Sequence, residues 1–102
     1  MTKKFDAIVI GAGQAGPPLA GRLTASGMQV AVIERKLFGG TCVNTGCTPT
    51  KTLIASAAAI QMTRRGGDYG FSADVPVIVD MQRVKARADQ VSANSRNAIA
   101  GR

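Results

Sequence analysis

Phe5-Asp6-Ala7-Ile8-Val9-Ile10 runs directly into Gly11-Ala12-Gly13-Gln14-Ala15-Gly16, and this junction decides the fold. The first six residues are mostly apolar and β-branched, as suits a buried parallel strand. The glycines that follow stand in the pattern Gly-x-Gly-x-x-Gly, and each has a physical reason. The first makes the tight turn out of a strand, the second lets a pyrophosphate touch the backbone, and the third lets helix pack closely on strand. Pro17 to Ser26 then reads as a helix with Leu19, Ala20 and Leu23 on one face. Pro17 and Pro18 are tolerated because first-turn N–H groups have no helical partner. Ser26-Gly27 marks the stop. Gln29 to Ile33 reads as a second strand, and it ends at Glu34, 23 positions after Gly11.

Strand, glycine turn, helix, strand and acid together are far more specific than three glycines. The helix start offers free N–H groups and a positive dipole end to phosphates. An acid ~20 residues after the turn accepts hydrogen bonds from ribose hydroxyls. The reading is a dinucleotide site on a Rossmann-like βαβ unit, part of a doubly wound parallel sheet in an α/β fold. A carboxylate at the ribose edge repels a 2′-phosphate, which disfavours NADP here and leaves NAD or FAD.

Downstream, Leu37 to Pro49 reads as a loop crowded with Gly, Thr, Asn and the chain's two cysteines, Cys42 and Cys47. Thr50 to Arg65 reads as a helix with Leu53, Ile54, Ala57, Ala58 and Met62 turned to a core, ended by Gly66-Gly67. Asp68 to Pro76 has no clear period, and Val77-Ile78-Val79 is a short strand or extended link. Asp80 is placed to cap a last helix carrying Met81, Val84, Ala88 and Val91, which runs to about Ala100.

The cysteines, separated by Val43-Asn44-Thr45-Gly46, match neither the C-x-x-C of redox helices nor a zinc knuckle. With no histidine and no second cysteine pair, four zinc ligands cannot be assembled, and no metal site is expected. A purely structural disulfide closing so short a loop removes little unfolded-state entropy. Beside a dinucleotide turn, with a helix start and Lys51 to favour thiolate, a redox-active disulfide is the better reading. Disulfides open by nucleophilic attack on sulfur whereas nicotinamide gives hydride, so a flavin between them is chemically natural. That chemistry selects FAD for the Gly11 turn.

The charge balance narrows the partners. Thirteen Lys+Arg against six Asp+Glu gives +7. The cations are scattered, however, and only Arg83, Lys85, Arg87 and Arg96 share a segment. One tyrosine and three phenylalanines offer little base stacking, so an anionic cofactor or a solvated helix face is preferred over nucleic acid. No apolar stretch approaches the ~18 residues of a membrane span. Gly11 also cuts short any signal-peptide core after Lys3 and Lys4. A cytoplasmic chain is expected.

Gly39-Gly40-Thr41-Cys42-Val43-Asn44-Thr45-Gly46-Cys47-Thr48-Pro49-Thr50-Lys51 strongly resembles the active-site signature of the class I pyridine nucleotide–disulfide oxidoreductases. That family includes dihydrolipoamide dehydrogenase, glutathione reductase and mercuric reductase. Thr45, Thr48 and Gly16-Pro17-Pro18 look most like the mercuric-reductase-like branch. The resemblance implies that Gly11, Gly13, Gln14, Ala15 and Gly16 hold the FAD pyrophosphate and that Glu34 binds the adenosine ribose. Gly40 and Thr41 would lie along the FAD phosphate and ribityl portion. Cys42 would be the interchange thiol, Cys47 the thiol against the flavin, and Lys51 a cation near the flavin N5 edge.

Enzymes of that family are several times longer. They add the rest of the FAD domain, an NAD(P)H domain and a dimerisation domain with a His-Glu pair. Residues 1–102 are therefore expected to be an N-terminal portion that does not turn over alone. The complete enzyme would be a homodimer passing electrons from NAD(P)H to a small-molecule disulfide or a metal ion. The competing expectation is a stand-alone, non-catalytic module that binds a nucleotide or presents thiols to another chain.

Overall fold

In the computed structural model, which describes residues 2–72 and 75–101, the opening junction folds as its residues dictate. Strand β1 (Ala7–Ile10) and strand β2 (Val30–Ile33) pair in parallel, with Ala7 opposite Val30 and Ile10 opposite Ile33. The ladder runs on into the first glycine, whose N–H donates to Ile33 O at 2.7 Å. At the other end Asp6 exchanges two bonds with Gln29, backbone N–H to O at 2.8 Å and Gln29 N–H to Asp6 Oδ2 at 2.8 Å. Helix α1 (Gly16–Ala25) carries Pro17 and Pro18 in its first turn and ends where Ser26 and Gly27 donate back into its last carbonyls.

The third glycine is the joint of this unit. A Cβ built on Gly16 would overlap the Gly11 carbonyl oxygen and lie 3.4 Å from Val9 Cγ1. Only a residue without a side chain lets α1 begin so close to the end of β1.

The cysteine region departs from the sequence reading. It is no loop: helix α2 (Gly40–Asn44) holds Cys42, and helix α3 (Cys47–Arg64) starts on Cys47 itself. Pro49 stands in the first turn of α3, where its missing N–H is not needed. The same allowance that admits Pro17 and Pro18 to α1 thus moves the start of α3 three residues ahead of Thr50.

A second departure concerns which face of α3 is covered. Leu53, Ile54, Ala57, Ala58 and Met62 are exposed, Ile54 by 61%. Thr52 is buried, with Ser56 and Ile60 half-buried, because α3 packs on helix α4 (Met81–Ala100) through small residues. Ala88 and Ser92 supply the other side. The Thr52 hydroxyl is satisfied within its own helix, donating to Thr48 O at 2.7 Å. Apolar periodicity locates a stripe but does not say which neighbour is present to cover it.

After α3 the chain makes a 3₁₀ turn (Gly66–Tyr69) and then an extended link through Val77–Val79 rather than a strand. Ala73 and Asp74, in the aperiodic stretch, lie outside the described residues, as do Met1 and Arg102. Asp80 caps α4, its side chain accepting from the Arg83 N–H at 3.2 Å. Val84, Ala88 and Val91 turn inward as their spacing requires, while Met81 stays 63% exposed.

The ensemble is long and thin, with extents of 67 × 25 × 17 Å and a radius of gyration of 20.2 Å. A closed domain of this length has about 13 Å. Buried apolar side chains among the described residues are limited to Ala12, Ala20, Val43 and Ala88. Ile8, Ile10 and Ile33 remain exposed on the sheet, Ile10 by 86%. No helix among the described residues is long and apolar enough to cross a membrane.

Candidate functional site

Both sequence motifs meet at one place, because α2 is stitched onto the glycine turn. Gly39 N–H donates to Ala12 O at 2.6 Å, and Gln14 Nε2 donates to Gly39 O at 3.4 Å. Gly40 lies against Gly13 so closely that a Cβ on Gly40 would sit 2.9 Å from Gly13 Cα, and its φ of +67° is left-handed. Two backbones touch there, and any side chain on Gly40 would part them. Ala12 is fully buried beneath the contact.

The turn has the character of an anion site. No side chain caps α1 at Ala15. Among the described residues no hydrogen bond engages the N–H groups of Gly13, Gln14, Ala15 or Gly16. Unpartnered amides at a helix start attract phosphate. These residues therefore fit the pyrophosphate of a dinucleotide, and Gly13 has no side chain to stand between it and the backbone.

Glu34 is found where the acid is expected, at the end of β2, and it is already at work. Its Oε2 accepts from the Ala12 N–H at 2.8 Å and its Oε1 from the Lys36 N–H at 3.1 Å. A carboxylate has about four lone-pair sites, so acceptor capacity remains for ribose hydroxyls. The Ala12 hydrogen bond first, then that of Lys36, holds its carboxyl below the usual glutamate range. Because the folded value is the lower one, the stabilisation is present above the ordinary glutamate pKa. It is lost as pH falls through the folded value. The Ala12 amide should accordingly exchange faster, and its NMR resonance shift, as the solution is acidified below that range. Glu34→Gln should remove the pH dependence; an Ala12 amide indifferent to both would refute the brace.

The two cysteines are free thiols, Cys42 half-buried and Cys47 exposed. A hydrogen bond between the sulfurs is the main cause that raises the Cys42 pKa; burial adds to it, and the charge of Lys51 opposes. The expectation that the helix start and Lys51 favour thiolate is thus reversed for Cys42 in the dithiol state. Its neighbour sulfur outweighs the lysine. Lys51 stands one turn into α3 from Cys47, exposed, and Thr41 is exposed on α2.

Two long-range contacts escaped the sequence reading. Asn44, between the cysteines, donates through Nδ2 to Phe38 O and Gly40 O, each at 2.9 Å. Its Oδ1 accepts from Arg96 Nη1 at 2.9 Å, across 52 residues of chain. Arg87 likewise reaches the Thr52 carbonyl at 3.3 Å. Of the cations in this segment, Lys85 belongs to a solvated face, paired with Asp89 at 2.7 Å. Arg87 and Arg96 are tethers, and no composition count separates the two kinds.

Comparison with known proteins places this geometry. The family model described as pyridine nucleotide-disulphide oxidoreductase matches residues 5–100. Dihydrolipoyl dehydrogenase of Acholeplasma laidlawii is 33% identical over 100 residues, covering 98% of this chain and 30% of the relative. That of Chlamydia muridarum is 38% identical over 93 residues, covering 86% and 20%. The Cu(II) complex of the HOCl-induced flavoprotein disulfide reductase RclA from Escherichia coli superposes with a TM-score of 0.69. It is 34% identical, with 96% of this chain and 19% of that one covered. The chain thus spans 19–30% of the length of these relatives. Its parallel strands and helices match the FAD-binding, Rossmann-like region of disulfide reductases. Members of the matched family bind FAD and use NAD(P)H. Because that family model matches nearly the whole length of the chain, the chain belongs to the pyridine nucleotide–disulphide oxidoreductase family.

Proposed function

We propose that residues 1–102 form the N-terminal portion of the FAD domain of an FAD-dependent disulfide oxidoreductase. They would carry the pyrophosphate and ribose contacts together with the redox-active thiol pair. The observation that carries this reading is the Gly40–Gly13 contact, which seats the Cys42 helix on the glycine turn. One cofactor lying along that turn would then reach the thiols.

Gly11, Gly13, Gln14, Ala15 and Gly16 would hold the pyrophosphate and Glu34 the adenosine ribose. Gly40 and Thr41 would lie along the phosphate and ribityl portion. When bound, FAD supplies a two-electron relay between NAD(P)H and a disulfide. Cys47, exposed at the first residue of α3, leaves room for a flat ring against its sulfur. Lys51, one turn further on, would stabilise negative charge on that side. Cys42 would exchange with substrate.

The substrate class is a small disulfide or a metal ion, in a homodimeric, cytoplasmic enzyme. The metal-ion side rests on Thr45, Thr48 and Gly16-Pro17-Pro18, the mercuric-reductase-like features. It also draws on likeness to a flavoprotein whose solved structure is a Cu(II) complex. The second reading, a non-catalytic module that presents its thiols or a nucleotide to a partner chain, draws on the open apolar surface of Ile8, Ile10 and Ile33.

The test has two arms. Expressed with the reading frame downstream of Arg102, the protein is expected to be yellow and to gain long-wavelength absorbance on two-electron reduction. Colourless protein would favour the module. The 102-residue chain alone is expected neither to hold FAD tightly nor to oxidise NAD(P)H with a disulfide substrate. Ordering each residue costs roughly 1–2 kcal/mol, and so few apolar groups are buried here that the sheet is left unsupported. Micromolar-or-better FAD binding, or turnover, would show the short chain to be self-sufficient.

A further inference from the structure

We infer that Arg96 is a positioning residue for the thiol pair: from α4 it holds the Asn44 amide, and through Asn44 the short helix that carries Cys42. The inference rests on the proposed redox role of Cys42 and Cys47.

Helix α2 has only five residues, too few to hold its place by its own hydrogen bonds. Its position depends on what it touches. One side is fixed by the glycine turn, through Gly39 N–H to Ala12 O and the Gly40–Gly13 contact. The other is fixed by Asn44, whose amide is committed at both ends. Nδ2 donates to the carbonyls of Phe38 and Gly40, and Oδ1 accepts from Arg96. An amide turned over would set its oxygen against two carbonyls and its NH₂ against a guanidinium. The cation therefore selects the orientation that ties α2 down.

Arg96 is aimed by the packing of its own helix. Val84, Ala88, Ser92 and Arg96 recur every fourth residue, and Ala88 and Ser92 are buried where α4 lies on its neighbours. Their small side chains bring α4 close enough for a half-buried guanidinium to span to α2. It is always charged, so the brace does not switch with pH.

Cys42 is two residues before Asn44 and Cys47 three after it. A fixed α2 holds the Cys42 thiol at the Cys47 sulfur and raises the effective concentration of one for the other. In glutathione buffer both thiols are oxidised to one disulfide. The two electrons reduce glutathione disulfide, and the two protons leave on the two glutathione thiols formed. A higher effective concentration drives that reaction forward.

The experiment equilibrates the protein carrying the complete flavin domain in a series of glutathione redox buffers, traps thiols by alkylation and reads the disulfide fraction by mass. Arg96→Ala is expected to lower the effective concentration about three- to tenfold, the scale of an ordinary net hydrogen bond lost in an indirect brace. A tenfold change corresponds to ~30 mV toward easier reduction. Arg96→Lys should recover part of the loss. In an Asn44→Ala background Arg96→Ala should add nothing further. Arg87→Ala, which removes the α4 hydrogen bond to the Thr52 carbonyl and leaves Asn44 alone, should shift the thiol equilibrium much less. An unchanged equilibrium in Arg96→Ala, additive losses at Arg96 and Asn44, or an equal shift from Arg87→Ala would each overturn the inference. If the unaltered chain forms no Cys42–Cys47 disulfide in any buffer, the redox reading of the pair falls with it.

Discussion

In the protein carrying the complete flavin domain, Gly16→Ala is expected to destabilise the βαβ unit and abolish nucleotide binding, whereas Gly21→Ala on the same helix is expected to stabilise it. The added methyl at Gly16 would overlap the Gly11 carbonyl, which is backbone and cannot rotate aside. Either α1 moves off β1 or the turn opens, and each disperses the amides that face the phosphates. Forcing an extra carbon into a packed contact costs roughly 1–3 kcal/mol or more. At Gly21 a Cβ meets nothing within 4 Å. There alanine gains the helix-interior advantage over glycine, about 0.5–1 kcal/mol. Urea unfolding followed by circular dichroism measures both. Midpoints moving in the same direction, or an unmoved Gly16→Ala midpoint, would contradict the close strand–helix junction.

Cys42→Ser and Cys47→Ser should differ in kind. In the protein carrying the complete flavin domain, Cys42→Ser should retain the long-wavelength thiolate–flavin band and lose disulfide turnover. Cys47→Ser should lose both. Removing either sulfur makes the disulfide impossible, so turnover should fall to background in each. The spectrum is what separates their duties. The proposed duties rest on the C-x4-C spacing and the family resemblance, and Cys47 stands exposed at the first residue of α3 with Cys42 half-buried on α2. Identical spectra, or a band that vanished with Cys42, would reverse the assignment.

Local chemistry made much of this legible in advance. The strand, glycine turn and helix each follow from residues within a few positions of one another: apolar β-branched runs, a Cβ-free joint, prolines confined to a first turn. Glu34 was placeable because one βαβ unit has a set length. Asp80 as a cap needs only its own following turn. The signature around Cys42 and Cys47 named the family because its spacing is local as well.

What spans the chain was decided by the tertiary structure. Periodicity marked Leu53, Ile54 and Met62 as a core stripe, but α4 covers the Thr52 face instead, since Ala88 and Ser92 admit a close helix pair there. Arg96 reads in sequence as one of four cations sharing the last segment; only the approach of α4 to α2 gives it Asn44, 52 residues away. The direction of the Cys42 shift depends on a sulfur that the chain must fold to bring near. A sequence therefore determined which groups this protein possesses and the local turns that hold them. Which groups meet was settled by packing, because a long-range contact depends on every element between its ends.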